Sequence, residues 1–288
     1  MEHLGFQLYC YNKNYKTFFA RVFENVRDFT PQRQYFEALR QRMVKVYANH
    51  KLSEPCQLAN NYFNEACFTD CCSLDRMLVG YENITYEKFL KQMKEQWLKR
   101  LHVVWLIQGH LEEADAMEIV TRAETSLAHQ RIHTDDIDFA RLVRLNDRTI
   151  YSFERTNESP ENPNSLCWSR FAYEFDTDVD TLADAKVLSA FLEEPVFNAL
   201  RTKEQLGYIV QAGAMSHYRM LFFSILVQSN HKDADYLEHR INELLEKIHA
   251  NWDPTEEQIE TIKSGLMNKM KQKRTSLGAE ASFNWTEL

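Results

Sequence analysis

Glycine and proline are scarce in this chain, with 7 and 6 among 288 residues. So few glycines leave little room for a phosphate cradle, and neither a Walker loop nor a G-x-G-x-x-G fingerprint occurs. Few breakers also imply few turns and long helices. Long hydrophobic runs are missing as well. Leu101–Ile107 is among the longest, and it falls far short of the ~20 residues of a membrane-spanning helix. The N-terminal MEHLGFQLYCYNKN lacks a basic stretch ahead of an apolar one, so no secretory signal is expected. Nor is there an excess of positive charge. The formal net charge is −8, which argues against a general nucleic-acid binder, and no membrane partner is expected.

Catalytic signatures are also absent. H-x-x-E-H, H-E-x-x-H and G-x-S-x-G do not occur. His110-Leu111-Glu112-Glu113 comes nearest to a zinc motif but has no second histidine in place. His129 and His133 stand four apart, but in a polar stretch without periodicity. Cys67, Cys71 and Cys72 cluster without the second ligand pair that a zinc site needs, so no metal is expected in this chain. Six cysteines in a chain of this length, without a secretory signal, are expected to be reduced thiols in the cytoplasm.

What is present is a soluble globular composition, 44% apolar and 26% charged, at a length that suits two domains. Leu4, Phe6, Leu8 and Cys10 alternate, which predicts a first strand over 4–11. Phe36, Leu39, Met43 and Tyr47 repeat at helical spacing, in a helix running from Thr30-Pro31 to about His50. Ser53 opens another helix, and Thr85 caps a third with Phe89, Met93 and Trp97 on one face. LHVVWLIQG (101–109) reads as a buried strand and 112–128 as a helix. Residues 130–148, with Asp135, Asp136 and Asp138, lack periodicity and form the candidate interdomain connection.

The second half opens with a predicted strand at 149–155 and a polar loop at 158–164. An aromatic strand follows through Leu166, Trp168, Phe171, Tyr173 and Phe175, with a phase change near Ser169–Arg170 that predicts a bulge. A helix over 180–200 is interrupted or restarted near Pro195, and 206–214 and 220–229 read as neighbouring strands. Leu237, Ile241, Leu244, Leu245 and Ile248 make one helical stripe. Asp253-Pro254-Thr255-Glu256 starts a last helix with the stripe Ile259, Ile262, Leu266 and Met270. The lysines and Arg274 near its end suit the helix dipole and read as a solvated surface. Helices segregated around strands indicate an α+β class with two domains of similar size.

One segment carries chemistry. EPVFNALRTKEQLGYIV (194–210) is a helix end, a charged turn and a strand start. Arg201 presents a planar fork of donors suited to carbonyls or carboxylates, and the Tyr208 hydroxyl is able to donate to a developing oxyanion. On the residues alone the plainer reading is preferred, in which Arg201 pairs with a local carboxylate such as Glu204 and Tyr208 packs in the sheet.

This segment resembles the EP-x-FN-x-LRTKEQLGY-x-V signature of the C-terminal half of insulysin-type M16 metallopeptidases, the family of insulin-degrading enzyme and nardilysin. The resemblance extends through Leu4–Tyr11, Arg100-Leu101-His102 with Gly109, Ile150–Asn157, the aromatic strand, Val227-Gln228-Ser229 and the helix from Thr255. It implies two related M16-type (LuxS/MPP-like) α+β domains with antiparallel-rich sheets packed with helices. Residues 1–145 would be the later part of a third-domain-like unit and 146–288 the first part of a fourth-domain-like unit, both incomplete.

It further implies a non-catalytic wall of a peptidase chamber, with Zn2+ held by a complementary N-terminal half and peptide as substrate. A homodimer is also implied. By that resemblance the substrate-binding residues are Arg201, holding peptide backbone, Tyr208, bonding near the scissile carbonyl, and Gly207, letting backbone approach peptide closely. The stretch Ala214–Met220 departs from the family, which places glycine in that turn. Two other readings stand beside this one. The chain is a peptidase-derived scaffold or peptide-binding module without activity, or an independent hydrolase with an unrecognised site.

Overall fold

The computed structural model describes residues 4–11, 13–69, 71–137, 141, 143, 146, 148–159, 161–175, 178–217 and 220–286. Their contacts divide the chain into two compact units, each discontinuous in sequence. One draws on 1–47, 75–141 and 273–288, the other on 48–74 and 142–272.

The first unit is mainly helical: α1 (Tyr15–Arg27), α2 (Arg33–Asn49), α4 (Leu74–Asn83), α5 (Tyr86–Gln92), α6 (Glu113–Leu127) and α10 (Leu277–Thr286), with α3 (Pro55–Cys67) belonging to the other unit. Thr85 caps α5 by accepting from the Lys88 amide, and a π-helical turn carries α5 on through Met93–Trp97. Phe36 packs against Tyr86 and Phe89 at ring distances of 5.6 and 5.3 Å. Helices α1 and α6 form the core around buried Phe23, Ala123 and Leu127. Leu8 and Trp105 pack on its margin. At its edge Lys16 bridges Asp115 and Glu118.

Two strand expectations fail here. Residues 4–11 form no ladder among the described residues, and Leu4, Phe6, Tyr9 and Tyr11 are exposed. Of 101–109 only Leu101 is paired, in a two-residue parallel contact of β1 (Arg100–Leu101) with β2 (Gln130–Arg131). The rest makes no ladder among the described residues and is mostly half-buried, with His102, Val104 and Gly109 exposed. Apolar alternation makes a segment fit for a sheet but does not supply the neighbour it must bond to.

The second unit is built on a three-stranded antiparallel sheet, ordered β3 (Ser165–Phe175), β5 (Met220–Ser229), β4 (Ile209–His217). Central β5 is buried at nine of its ten positions. Helices α7 (Val179–Phe197) and α8 (Ala234–Ala250) cover one face. There Val196, Leu200, Val210, Ile225, Val227, Leu237 and Ile241 interlock, most with no solvent exposure. Helix α3 (Pro55–Cys67) covers the other face, its Phe63 standing edge-on to Phe222 at 5.6 Å. Helix α9 (Glu256–Lys271) starts within the expected stretch, but its capping box is Thr255 with Gln258 rather than Asp253 with Glu256, and it packs on α7. Its stripe is only half-covered, and Met270 is exposed.

Residues 149–155 form no strand, and Ile150 and Phe153 are exposed. The bulge expected at Ser169–Arg170 is not there, because the β3–β5 register runs unbroken from Ser165 to Ala172 and shifts only between Ala172 and Phe175. The phase change has another cause. Arg170 occupies an inward position on the α3 face, its guanidinium 3.6 Å from the Phe63 ring and 3.7 Å from Trp168. Burial pushes its pKa down to about 10. Asp138 and the hairpin-tip residues Tyr218 and Arg219 lie outside the described residues.

Candidate functional site

Pro195 sits inside α7 without ending it, and the helix passes into a π-helical turn at Asn198–Lys203. The wider turn closes with hydrogen bonds from the Glu204 amide to the Ala199 carbonyl, 3.0 Å, and from Leu206 to Leu200, 2.9 Å. Gln205 takes the left-handed conformation, φ 54°, which reverses the chain toward β4. Arg240 of α8 grips Glu204 with two bonds of 2.9 Å, tying the turn to the helix beneath it. The carboxylate raises the pKa of that guanidinium further.

The local pairing that sequence left open for Arg201 is thus not the one formed, since Glu204 is taken by Arg240. Arg201 instead donates from Nη1 to the Gly207 carbonyl at 2.7 Å, a clasp across the turn. Its remaining donors have no partner among the described residues. Tyr208 does not pack in the sheet: it is 55% exposed. Its hydroxyl oxygen accepts from Gln228 Nε2 at 3.0 Å.

Gly207 is buried, and its close approach is to its own sheet. A Cβ there would lie 1.8 Å from the Gln228 carbonyl oxygen and 2.7 Å from its carbon. The missing side chain therefore lets the turn lie flat on the end of β5. Arg201, Gly207 and Tyr208 together line an open depression of about 620 Å³, with Phe197, Thr202, Gln205, Asn230 and His231. The three residues singled out by sequence are thus brought to one place. The depression offers an apolar ring, a guanidinium and a phenol. Such a set suits a peptide backbone, whose carbonyls accept from both cationic and phenolic donors.

Sequence reasoning assigned no role to the layer behind Tyr208. Gln228 is fully buried at the end of β5. Its Oε1 accepts from the Cys56 amide at 3.1 Å, and its Nε2 donates to Glu54 Oε2 at 2.9 Å as well as to Tyr208. Glu54 also accepts from Asn164, 3.2 Å. The available signal was a single amide next to the end of a largely apolar strand, MLFFSILVQS, since a buried polar side chain needs partners. Elsewhere, all six cysteines are thiols, and burial pushes those of Cys67 and Cys167 up. Among the described residues no three His, Cys, Asp or Glu side chains are grouped to hold a metal ion.

A family model described as "PQQ synthase PqqF-like, C-terminal lobe domain 4" matches residues 187–285, which include the whole turn and both strands beside it. Human insulin-degrading enzyme is 27% identical over 287 residues, covering 96% of this chain and 27% of that protein. The A-factor-processing enzyme of Saccharomyces cerevisiae is 26% identical, covering 94% of this chain and 26% of that protein. The crystal structure of pitrilysin superimposes with a TM-score of 0.69 at 20% identity, over 94% of this chain and 28% of that one. The chain spans about a quarter of the length of these curated relatives. Over nearly all of its own length it is homologous to M16 peptidases of the insulin-degrading-enzyme type, and it carries the pitrilysin fold.

Proposed function

We propose that this chain forms a non-catalytic, substrate-holding wall of an M16-type zinc metallopeptidase. The observation that carries the reading is the Arg201–Gly207–Tyr208 turn, clamped from below by Arg240 and β5 while its guanidinium and phenol line an open depression. In this reading Arg201 holds backbone carbonyls of an extended peptide. Tyr208 donates to the carbonyl that gains negative charge during hydrolysis. Zinc, which activates water and polarises the carbonyl, sits in a complementary N-terminal half, as the resemblance to insulysin implies. That half and the peptide are the proposed partners, with a second copy of the chain as a further one. The setting is cytoplasmic, where the six thiols stay reduced.

The test is hydrolysis of an internally quenched peptide by this chain combined with a zinc-bearing M16 N-terminal half. Turnover is expected in the mixture alone and falls ~100-fold with Tyr208→Phe. An inactive mixture in which the two chains are shown to be associated would favour the scaffold reading instead.

A further inference from the structure

We propose that Gln228 is a positioning residue that fixes the polarity of the Tyr208 hydroxyl, so that its proton is directed to a peptide carbonyl in the depression. The inference rests on the peptide-holding reading of Tyr208 given above.

The hydrogens around one buried amide can be counted. A primary amide has two N–H donors and one carbonyl acceptor, and turning it over exchanges them. Around Gln228 the neighbours leave a single solution. The Cys56 backbone N–H, 3.1 Å away, only donates, so the atom facing it is Oε1. The Glu54 carboxylate, 2.9 Å from the other end, only accepts, so it faces Nε2. One Nε2 proton is then committed to Glu54, and the second points at the Tyr208 oxygen, 3.0 Å away. Tyr208 accepts on its buried side. Its own proton has no partner among the described residues and lies toward the depression. A carboxylate at 228 would reverse this, drawing the phenol proton inward and presenting only a lone pair to the peptide. Gln228 has no solvent exposure and does not itself line the depression, so it acts through Tyr208.

Two measurements test it. The first needs only the full chain. In 15N spectra the Gln228 amide pair is identified by its loss in Gln228→Met. In Tyr208→Phe, an exchange at an exposed position, one proton of that pair is expected to shift and exchange faster with solvent, while its partner stays put. Glu54→Gln moves the other proton. Two unmoved protons in Tyr208→Phe overturn the proposal.

The second measurement is peptide turnover in the mixture described above, with the exchanged pair Glu54→Gln/Gln228→Glu. This keeps one carboxylate and one amide in contact, so it recovers most of the thermal stability lost in Gln228→Glu alone. Turnover is nonetheless expected to fall ~100-fold, as in Tyr208→Phe, and adding Tyr208→Phe to the exchanged pair lowers it by less than about twofold more. A merely structural Gln228 predicts recovery of turnover together with stability, and that result overturns the proposal. Native turnover in Tyr208→Phe itself sinks the peptide-holding reading, and with it the role assigned to Gln228, whatever the spectra show.

Discussion

Replacing Gly207 by alanine adds one methyl group where the turn lies against the main chain of β5. The added carbon would stand 1.8 Å from the Gln228 carbonyl oxygen, 2.7 Å from its carbon and 3.3 Å from the Ser229 Cα. All three are main-chain atoms of a central strand bonded on both sides, so no side chain can swing away. Overpacking in a core costs ~1–3 kcal/mol, and a backbone obstruction belongs at the upper end. As the turn lifts off, the Arg201 bond to the Gly207 carbonyl is also lost, for ~1 kcal/mol more. A total near ~4 kcal/mol lowers the melting temperature by about 10 °C for a protein of this size. Gly265 provides the control. It lies in α9 with nothing within 4 Å of a built Cβ, so Gly265→Ala should gain ~0.5–1 kcal/mol from helix propensity. Circular dichroism melts of the three proteins decide the matter. A Gly207→Ala protein melting within about 2 °C of the native one would show that the turn separates from β5 without cost, and the close-approach argument would be wrong.

Other outcomes follow from the same structure. Arg240→Ala removes the grip on Glu204 and should cost ~1–2 kcal/mol, read as a lower urea midpoint, since both side chains are about three-quarters covered. Lys16 holds Asp115 and Glu118 below their usual carboxylate range. That contribution is complete above their unfolded pKa values and fades as pH drops below about 4. Lys16→Met should therefore flatten the acid limb of stability, measured by melts from pH 6 to pH 2.5. Burial raises the Cys67 and Cys167 thiols, so each presents less thiolate near neutral pH. Timed alkylation with mass spectrometry should label exposed Cys10 and Cys72 first and those two last.

Most of the helices were legible because their signals are local, although α1, α4 and α10 were not anticipated. Phe36, Leu39 and Met43 recur within one helix, and the cap at Thr85 lies three residues from the amide it satisfies. The central hairpin was legible for a similar reason, since β4 and β5 are sequential neighbours with matched apolar content. Residues 4–11 and 149–155 carry strand-like patterns, but a ladder needs a partner that the segment itself does not encode. Arg170 misled for a subtler reason. Stacked between two rings it takes an apolar position, and counting charges outward from it shifts the apparent phase. The site was half visible. Arg201 and Tyr208 belong to one continuous motif, whereas the contact between Gln228 and Glu54 joins residues 174 apart.

Strand β5 sets where the phenol of Tyr208 ends up, and it does so in steps. Along that strand, even-numbered Phe222 and Gln228 face α3, while odd-numbered Phe223, Ile225 and Val227 face α7 and α8. A slip by one residue against β3 or β4 would bring Val227 or Ser229 to the place of the amide and turn the whole apolar set to the wrong side. No intermediate arrangement satisfies the ladder, so the hydroxyl is placed by counting rather than by gradual adjustment. An inserted residue within 220–228 would cut the phenol off from its amide, whereas one in the 230–233 loop leaves the β5 register intact but displaces Asn230 and His231 of the depression and Asp233, which caps α8.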